Sequence, residues 1–270
     1  MDNKKTSIYS RVCDHRDEAL QYFPKDNIVG IFLQGSQNYG LETEKSDIDT
    51  KLIVVPSFSD VALNKKPVST THVRANDEHI DFKDIRLYIE TFRKQNLNFL
   101  EILFTKFYII NDDYSLEWNR LIYHREDIAH MNPYRAVKSM KGIALEKYHA
   151  MEHRYPTKID IIDKYGYDGK QTHHLLRVAD YIERYIAGES YEKCLMPTEN
   201  LVPRLMDYKN HKIPLEEARE EAKHVLDKLT KIADDFCSQT EDKEDSTIRE
   251  LLEDVSCKIM KIAIRKELNA

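Results

Sequence analysis

The sequence predicts an α+β protein: a mixed sheet flanked by helices in the first half, then an all-helical second half. Between Ile28 and about Ile110, short β-branched runs alternate with turns and one helical segment. Beyond Asp113 the strand signals fade, and long stretches repeat apolar residues at helical spacing. With 270 residues there is room for two ordinary domains. The change of texture divides them as residues 1–131 and 132–270.

The elements follow in order. "NIVGIFLQG" reads as a buried strand, and "DIDTKLIVVP" as a second, stopped by Pro56. The polar stretch that follows, broken by Pro67, reads as a loop or weak hairpin. "EHIDFKD" alternates polar and apolar residues, as a half-exposed strand does. "IRLYIETFRKQ" places Ile85, Leu87, Ile89 and Phe92 at helical spacing. "LNFLEILF" continues that pattern after a break near Asn96, and "KFYII" closes the sheet. In the second half, a helix opens at "NPYRAVKS" with Pro133 in its first turn. A second covers "GYDGKQTHHLLRVADYIERYIAGES" and ends near Gly188. A third starts at Pro214 with acids in its first turn. A fourth has Ser246 as its N-cap, after a solvated "TEDKED" linker.

Composition narrows the function classes. Hydrophobic residues are 41% and charged residues 33% of the chain. The longest apolar runs fall far short of the ~20 residues a membrane span needs. The N-terminus has no apolar core of a signal peptide. Four scattered cysteines (Cys13, Cys194, Cys237, Cys257) form no CxxC pair, as expected of reduced thiols in cytoplasm. The net charge of −6 requires any basic, nucleic-acid-binding surface to be local.

The chemistry concentrates in "IFLQGSQNYGLETEKSDIDTKLIVV". A strand ending in Gly35-Ser36 leaves backbone N–H groups at the sheet end, and glycine allows close approach of a ligand. With the serine hydroxyl, such a corner suits a phosphate oxygen. Asp47 and Asp49 are two apart, so on a strand both point to one face. Two carboxylates that close repel unless a cation sits between them, and a hard divalent ion such as Mg²⁺ fits. A third acid comes from "EHIDFKDI". Asp81 shares the polar face with His79 and Lys83, whereas Asp84 precedes a helix and serves as its N-cap.

Gly35-Ser36, Asp47-Ile48-Asp49 and Asp81, in that order, resemble the nucleotidyltransferase core of the DNA polymerase beta superfamily. Three stretches, "LQGSQNYGLETEKSDIDTKLIVVP", "NLNFLEILFT" and "GYDGKQTHHLLRVADYI", are similar to the predicted nucleotidyltransferases of bacteria and phages, some encoded beside RNA-repair ligases. The resemblance implies a polymerase-beta-like core followed by a helical domain. Gly35 and Ser36, aided by Ser46 and Tyr39, would hold an NTP. Asp47, Asp49 and Asp81 would bind two Mg²⁺ or Mn²⁺ ions, and Asp81 would help activate an acceptor hydroxyl. The acceptor implied is an RNA 3′ end such as that of a tRNA, with a protein hydroxyl or small molecule as the alternatives. A nucleotide-binding sensor is the reading from another class.

Lys170, His174 and Arg177 recur at i, i+4 and i+7, a cationic helix face able to grip a triphosphate. A solvated face with a satisfied histidine explains the same spacing. Lys138 and Lys141 read as surface residues. His149 and His153 lack a third ligand for zinc. Glu101, semi-buried in "NFLEILF", reads as a structural partner for an arginine or a helix N-terminus.

Overall fold

The computed structural model describes residues 3–43 and 46–269. The chain forms two compact units, Met1–Met131 with Glu244–Ala270, and Asn132–Lys243. In chain order the first unit holds α1 (Asn3–Ala19), β1 (Ile28–Gln34), β2 (Asp49–Val54), α2 (Phe58–Ala62), β3 (Ser69–Val73), β4 (His79–Asp84), α3 (Ile85–Arg93), α4 (Leu97–Leu100), β5 (Tyr108–Ile110), α5 (Asp112–Tyr123) and α6 (Arg125–Ala129). The second contributes α7 (Pro133–Ala150), α8 (Ile159–Tyr165), α9 (Gly169–Ile186), α10 (Tyr191–Leu195), α11 (Val202–Lys209) and α12 (Leu215–Gln239). Helix α13 (Ser246–Leu268) returns to the first unit.

The five strands form a mixed sheet in the order β3-β4-β2-β1-β5. β1 is antiparallel to β2 and β5, β2 is parallel to β4, and β3 closes a hairpin on β4. The stretch expected to be a loop or weak hairpin thus supplies an edge strand, preceded by α2, which a Ser57–Asp60 capping box starts. Alternation sorts the sheet faces. Ile31, Leu33, Leu52, Val54, Ile80 and Phe82 join Val12 and Ala19 of α1 in one apolar core. Phe32, on the opposite face, packs on Trp118 of α5 at 4.7 Å between ring centroids.

Helix α1 has no counterpart among the predicted elements. Its inward stripe runs Ile8, Val12, His15, Ala19, and the imidazole at the third position breaks the apolar repeat. Helices α5 and α6 were hidden for a similar reason, since acids and polar residues dominate "DDYSLEWNRLIYHRED".

Against the expected second domain, 132–270, the second compact unit spans Asn132–Lys243, and α13 belongs to the first unit. Ile248, Leu252, Val255 and Ile259 recur at spacings of four and three and are buried. The segment is tied along its length by ion pairs: Glu244 to Arg93 (2.8 Å), Asp254 to Arg120 (2.7 Å), and Lys266 to Asp26 and Asp113. The N-cap is Asp245, whose carboxylate accepts the Thr247 and Ile248 N–H groups; Ser246 is the first helical residue.

The second unit is built around α9, which packs against α7, α11 and α12 and is buried over most of its circumference. The segment "GYDGK" has a structural duty here. Tyr167 donates its hydroxyl to the Ile213 carbonyl (2.7 Å), and Asp168 caps α9 by accepting the Lys170 N–H (2.9 Å). A Cβ on Gly169 would lie 2.1 Å from the Tyr208 carbonyl oxygen, so only glycine lets α9 begin there.

Candidate functional site

β1 and β2 pair antiparallel with Gln34 opposite Asp49, so the turn after β1 and the acids before β2 share one sheet end. Gly35 has φ +102°, a conformation open essentially to glycine alone. Ser36–Asn38 then form a single tight turn. Asn38 pins it, accepting the Thr105 hydroxyl (2.8 Å) and donating to the Leu33 carbonyl (3.1 Å). The Gln37 amide reaches across and donates to the Asp47 carbonyl at 2.6 Å, clamping the turn to the acidic loop.

Buried Glu101 anchors the turn from beneath. One carboxylate oxygen accepts the Gly35 N–H (2.9 Å), the other the Tyr39 hydroxyl (2.8 Å). The expectation that Glu101 is a structural partner holds, with a backbone N–H and a phenol among its partners. The Gly35 N–H is committed to Glu101, which leaves Ser36 and Gln37 at the start of the turn, where N–H groups lack internal partners, as the donors able to meet an anion. Tyr39 is buried and points into the interior. Ser46 closes the loop, accepting the Thr43 N–H at 2.8 Å and donating its own N–H to the Thr43 carbonyl at 3.0 Å. Glu44 and Lys45 lie outside the described residues.

Within Asp47-Ile48-Asp49, Ile48 is fully buried in the core under α1, while Asp47 is exposed and Asp49 half-exposed. Asp49 Oδ1 accepts the His79 N–H (3.2 Å) and lies 3.1 Å from His79 Nδ1. A buried polar network behind the loop holds it in place. Glu78, 1% exposed, accepts the Ile48 N–H (3.1 Å), an Asn76 amide (2.8 Å) and Arg74 (2.9 Å), and pairs with Arg11. His15 lies 3.0 Å from Glu78 and 2.9 Å from the Thr50 hydroxyl. Burial, reinforced by the Arg74 charge, lowers its pKa to about 4. His15 is therefore neutral at pH 7, one nitrogen donating to Glu78 and the other accepting from Thr50.

Asp81 lies on the expected face of β4, two residues beyond His79, and pairs in register with Lys51 of β2. Both its oxygens are occupied: Oδ2 takes the Lys51 ammonium at 3.1 Å and Oδ1 the Thr71 hydroxyl at 2.6 Å. Burial pushes its pKa up, but the Lys51 charge and these hydrogen bonds outweigh it and hold the carboxyl below its usual value. Lys51 is 3% exposed, its ammonium 4.4 Å from the Phe99 ring centre; Lys83 sits 4.3 Å from the same ring. Asp84 is the N-cap of α3, as expected.

Gly35, Ser36, Ser46, Asp47, Asp49 and Asp81 thus all lie at or beside one end of the sheet. Among the described residues, no three His, Cys, Asp or Glu side chains are grouped to hold a metal ion. Asp47 and Asp49 offer hard oxygen donors open to solvent, while the Asp81 carboxylate is paired with Lys51. Lys170, His174 and Arg177 lie along α9 in the second unit. Lys170 is exposed and Arg177 buried. Burial, then the Arg177 charge, holds the His174 pKa well below 6.5, so the expected cationic stripe carries its charge at Lys170 and Arg177 only. Of the residues outside the motif, Lys51 was the detectable one: a charge within a strand, at the head of its apolar run Leu52–Val55.

Among solved structures, the chain is similar to a nucleotidyltransferase-like protein from Exiguobacterium sibiricum 255-15, at 10% identity, over 82% of this chain and 73% of that one, with a TM-score of 0.31. No family model matches the chain, and no curated protein matches it. No helix among the described residues is long and apolar enough to cross a membrane.

Proposed function

We propose that the chain transfers a nucleoside monophosphate from an NTP to a hydroxyl acceptor, releasing pyrophosphate, with a divalent cation as cofactor. The observation that carries this reading is the clamp between Gln37 and the Asp47 carbonyl, which joins an anion-accepting turn to a pair of acids. The Ser36 hydroxyl and the N–H groups of Ser36 and Gln37 supply donors for triphosphate oxygens. Asp47 and Asp49 supply the hard oxygens for Mg²⁺ or Mn²⁺. Such an ion, when bound, neutralises charge on the reacting phosphates. The Glu78–His15 network fixes the peptide between the two acids, so their positions do not have to be organised at the moment of reaction.

An RNA 3′ end is the acceptor we propose. The net charge of −6 keeps its contact surface small. Incubation with each α-labelled NTP and Mg²⁺ or Mn²⁺, with and without RNA, tests the reading. Label transfer that disappears in Asp47→Ala and Asp49→Ala is the expected result; transfer unaffected by either substitution sinks the site. A second reading, an NTP-binding sensor, is favoured by one observation, the commitment of the Asp81 carboxylate to Lys51 and Thr71. NTP binding with no transfer to any acceptor selects it.

A further inference from the structure

We infer that Lys51 stands where a second cation would otherwise act, so that the site holds one divalent ion, on Asp47 and Asp49, and Asp81 takes none. The inference rests on the nucleotidyl-transfer reading of that acidic pair and specifies its metal content.

The strand register carries the inference. Parallel pairing of β2 with β4 sets Lys51 directly beside Asp81, on the face that Asp49 and His79 share. An ion approaching Asp81 would have to displace an ammonium at 3.1 Å and a hydroxyl at 2.6 Å. The hydroxyl could turn away at little loss, since Thr71 lies on an exposed edge strand. The ammonium has no such outlet. Its side chain is 4% exposed and lies on the Phe99 ring, so eviction from Asp81 would leave a buried cation without its carboxylate.

The neighbourhood is also wrong in sign for a second ion. Lys83 shares the Phe99 ring with Lys51, and its charge acts on the same Asp81 carboxylate that Lys51 pairs with. Burial and then the Lys51 charge lower the Lys83 pKa, whereas Asp81 raises it, so the two lysines already repel across a shared counter-ion. A divalent ion added there meets a net positive surrounding. Around Asp47 and Asp49 the charge is reversed: among the described residues no lysine or arginine pairs with either, and Asp49 contacts only His79.

Counting bound Mn²⁺ by electron paramagnetic resonance on the full chain tests this, with an Asp47→Asn/Asp49→Asn double variant as background. The wild type should bind one equivalent above that background. Asp81→Asn should keep that equivalent, with its affinity changed less than about tenfold. Lys51→Met, which frees the Asp81 carboxylate, should gain a second. Should Lys51→Met fail to fold, the Asp81→Asn count decides alone. Two equivalents in the wild type, one of them lost in Asp81→Asn, overturn the inference and leave the acidic pair standing. No manganese above background in the wild type overturns the inference together with the reading beneath it.

Discussion

Glu78 accepts the N–H of Ile48, the residue between Asp47 and Asp49, at 3.1 Å, and does so from the opposite side of the sheet. The acids face outward because Ile48 and Thr50 face inward, and Glu78 with His15 holds both inward residues. The Glu78→Gln variant keeps an acceptor for Ile48 and should retain a folded core with reduced stability. Glu78→Ala leaves the buried Ile48 N–H and His15 ring without their acceptor, removes one counter-ion of half-buried Arg74 and Arg11, and should lose about 3–5 kcal/mol. Denaturant unfolding ranks the two. In the labelling assay, Glu78→Gln should lower turnover more than NTP affinity, because it loosens the acids without touching the Ser36 turn.

Acid should weaken the first unit earlier than its carboxylates require. His15 has a folded pKa of about 4 against 6.5 unfolded, so the unfolded chain binds the extra proton between those values. Stability from this group is complete above about pH 6.5 and falls as the pH drops towards 4, by roughly 3 kcal/mol at most. His173 in the second unit, lowered to about 4 chiefly by burial, acts in the same direction. Urea midpoints at pH 7 and pH 4.5 measure the loss, and His15→Gln should flatten it for the first unit only.

The three acids should separate when stability and activity are measured together. Asp47 is exposed and carries no ion pair among the described residues, so Asp47→Ala should alter stability by less than about 0.5 kcal/mol while abolishing transfer. Asp81→Ala strips the buried Lys51 of its carboxylate and should cost about 3–5 kcal/mol. Lys51→Met in the Asp81→Ala background should recover part of that loss. Thermal melts of the single and double variants show whether the two sites couple.

Substitution of Gly35 isolates backbone from packing. A Cβ there has its nearest neighbour at 3.9 Å, so space is available, but φ is +102°. Gly35→Ala should therefore lose about 1–3 kcal/mol from conformation alone and shift the Ser36 turn. Tyr39→Phe, by contrast, leaves the backbone unstrained and should lose about 1–3 kcal/mol, from the buried Glu101 carboxyl losing that hydroxyl donor. Weaker NTP binding in Gly35→Ala, but not in Tyr39→Phe, is the expected pattern in an equilibrium binding titration.

Much of the candidate site was legible because charge beside an apolar strand is costly and calls for a reason. Gly35-Ser36 and Asp47-Ile48-Asp49 stood out on that ground, and strand parity separated Asp81 from the capping Asp84. The parts that were not legible depend on partners distant in sequence. Tyr39 and Glu101 each fit several environments, and only their contact with one another assigns them to the interior. Lys51 drew no reading of its own, and its pairing with Asp81 depends on the parallel register, which the sequence pattern does not encode. Helix α1 hid behind His15, whose place in the core is satisfied by Thr50 and Glu78. Helix α13 read correctly as a helix, yet its stripe of Ile248, Leu252, Val255 and Ile259 would suit any apolar surface.

Helix α13 has a bearing on biogenesis. On a ribosome, residues 132–243 emerge before the segment that completes the sheet-bearing unit, so the inserted helical unit is able to fold first while its host waits with an uncovered flank. Nascent chains halted short of residue 244 should accordingly bind chaperones through the faces of α3 and α5, and release them once α13 has been made.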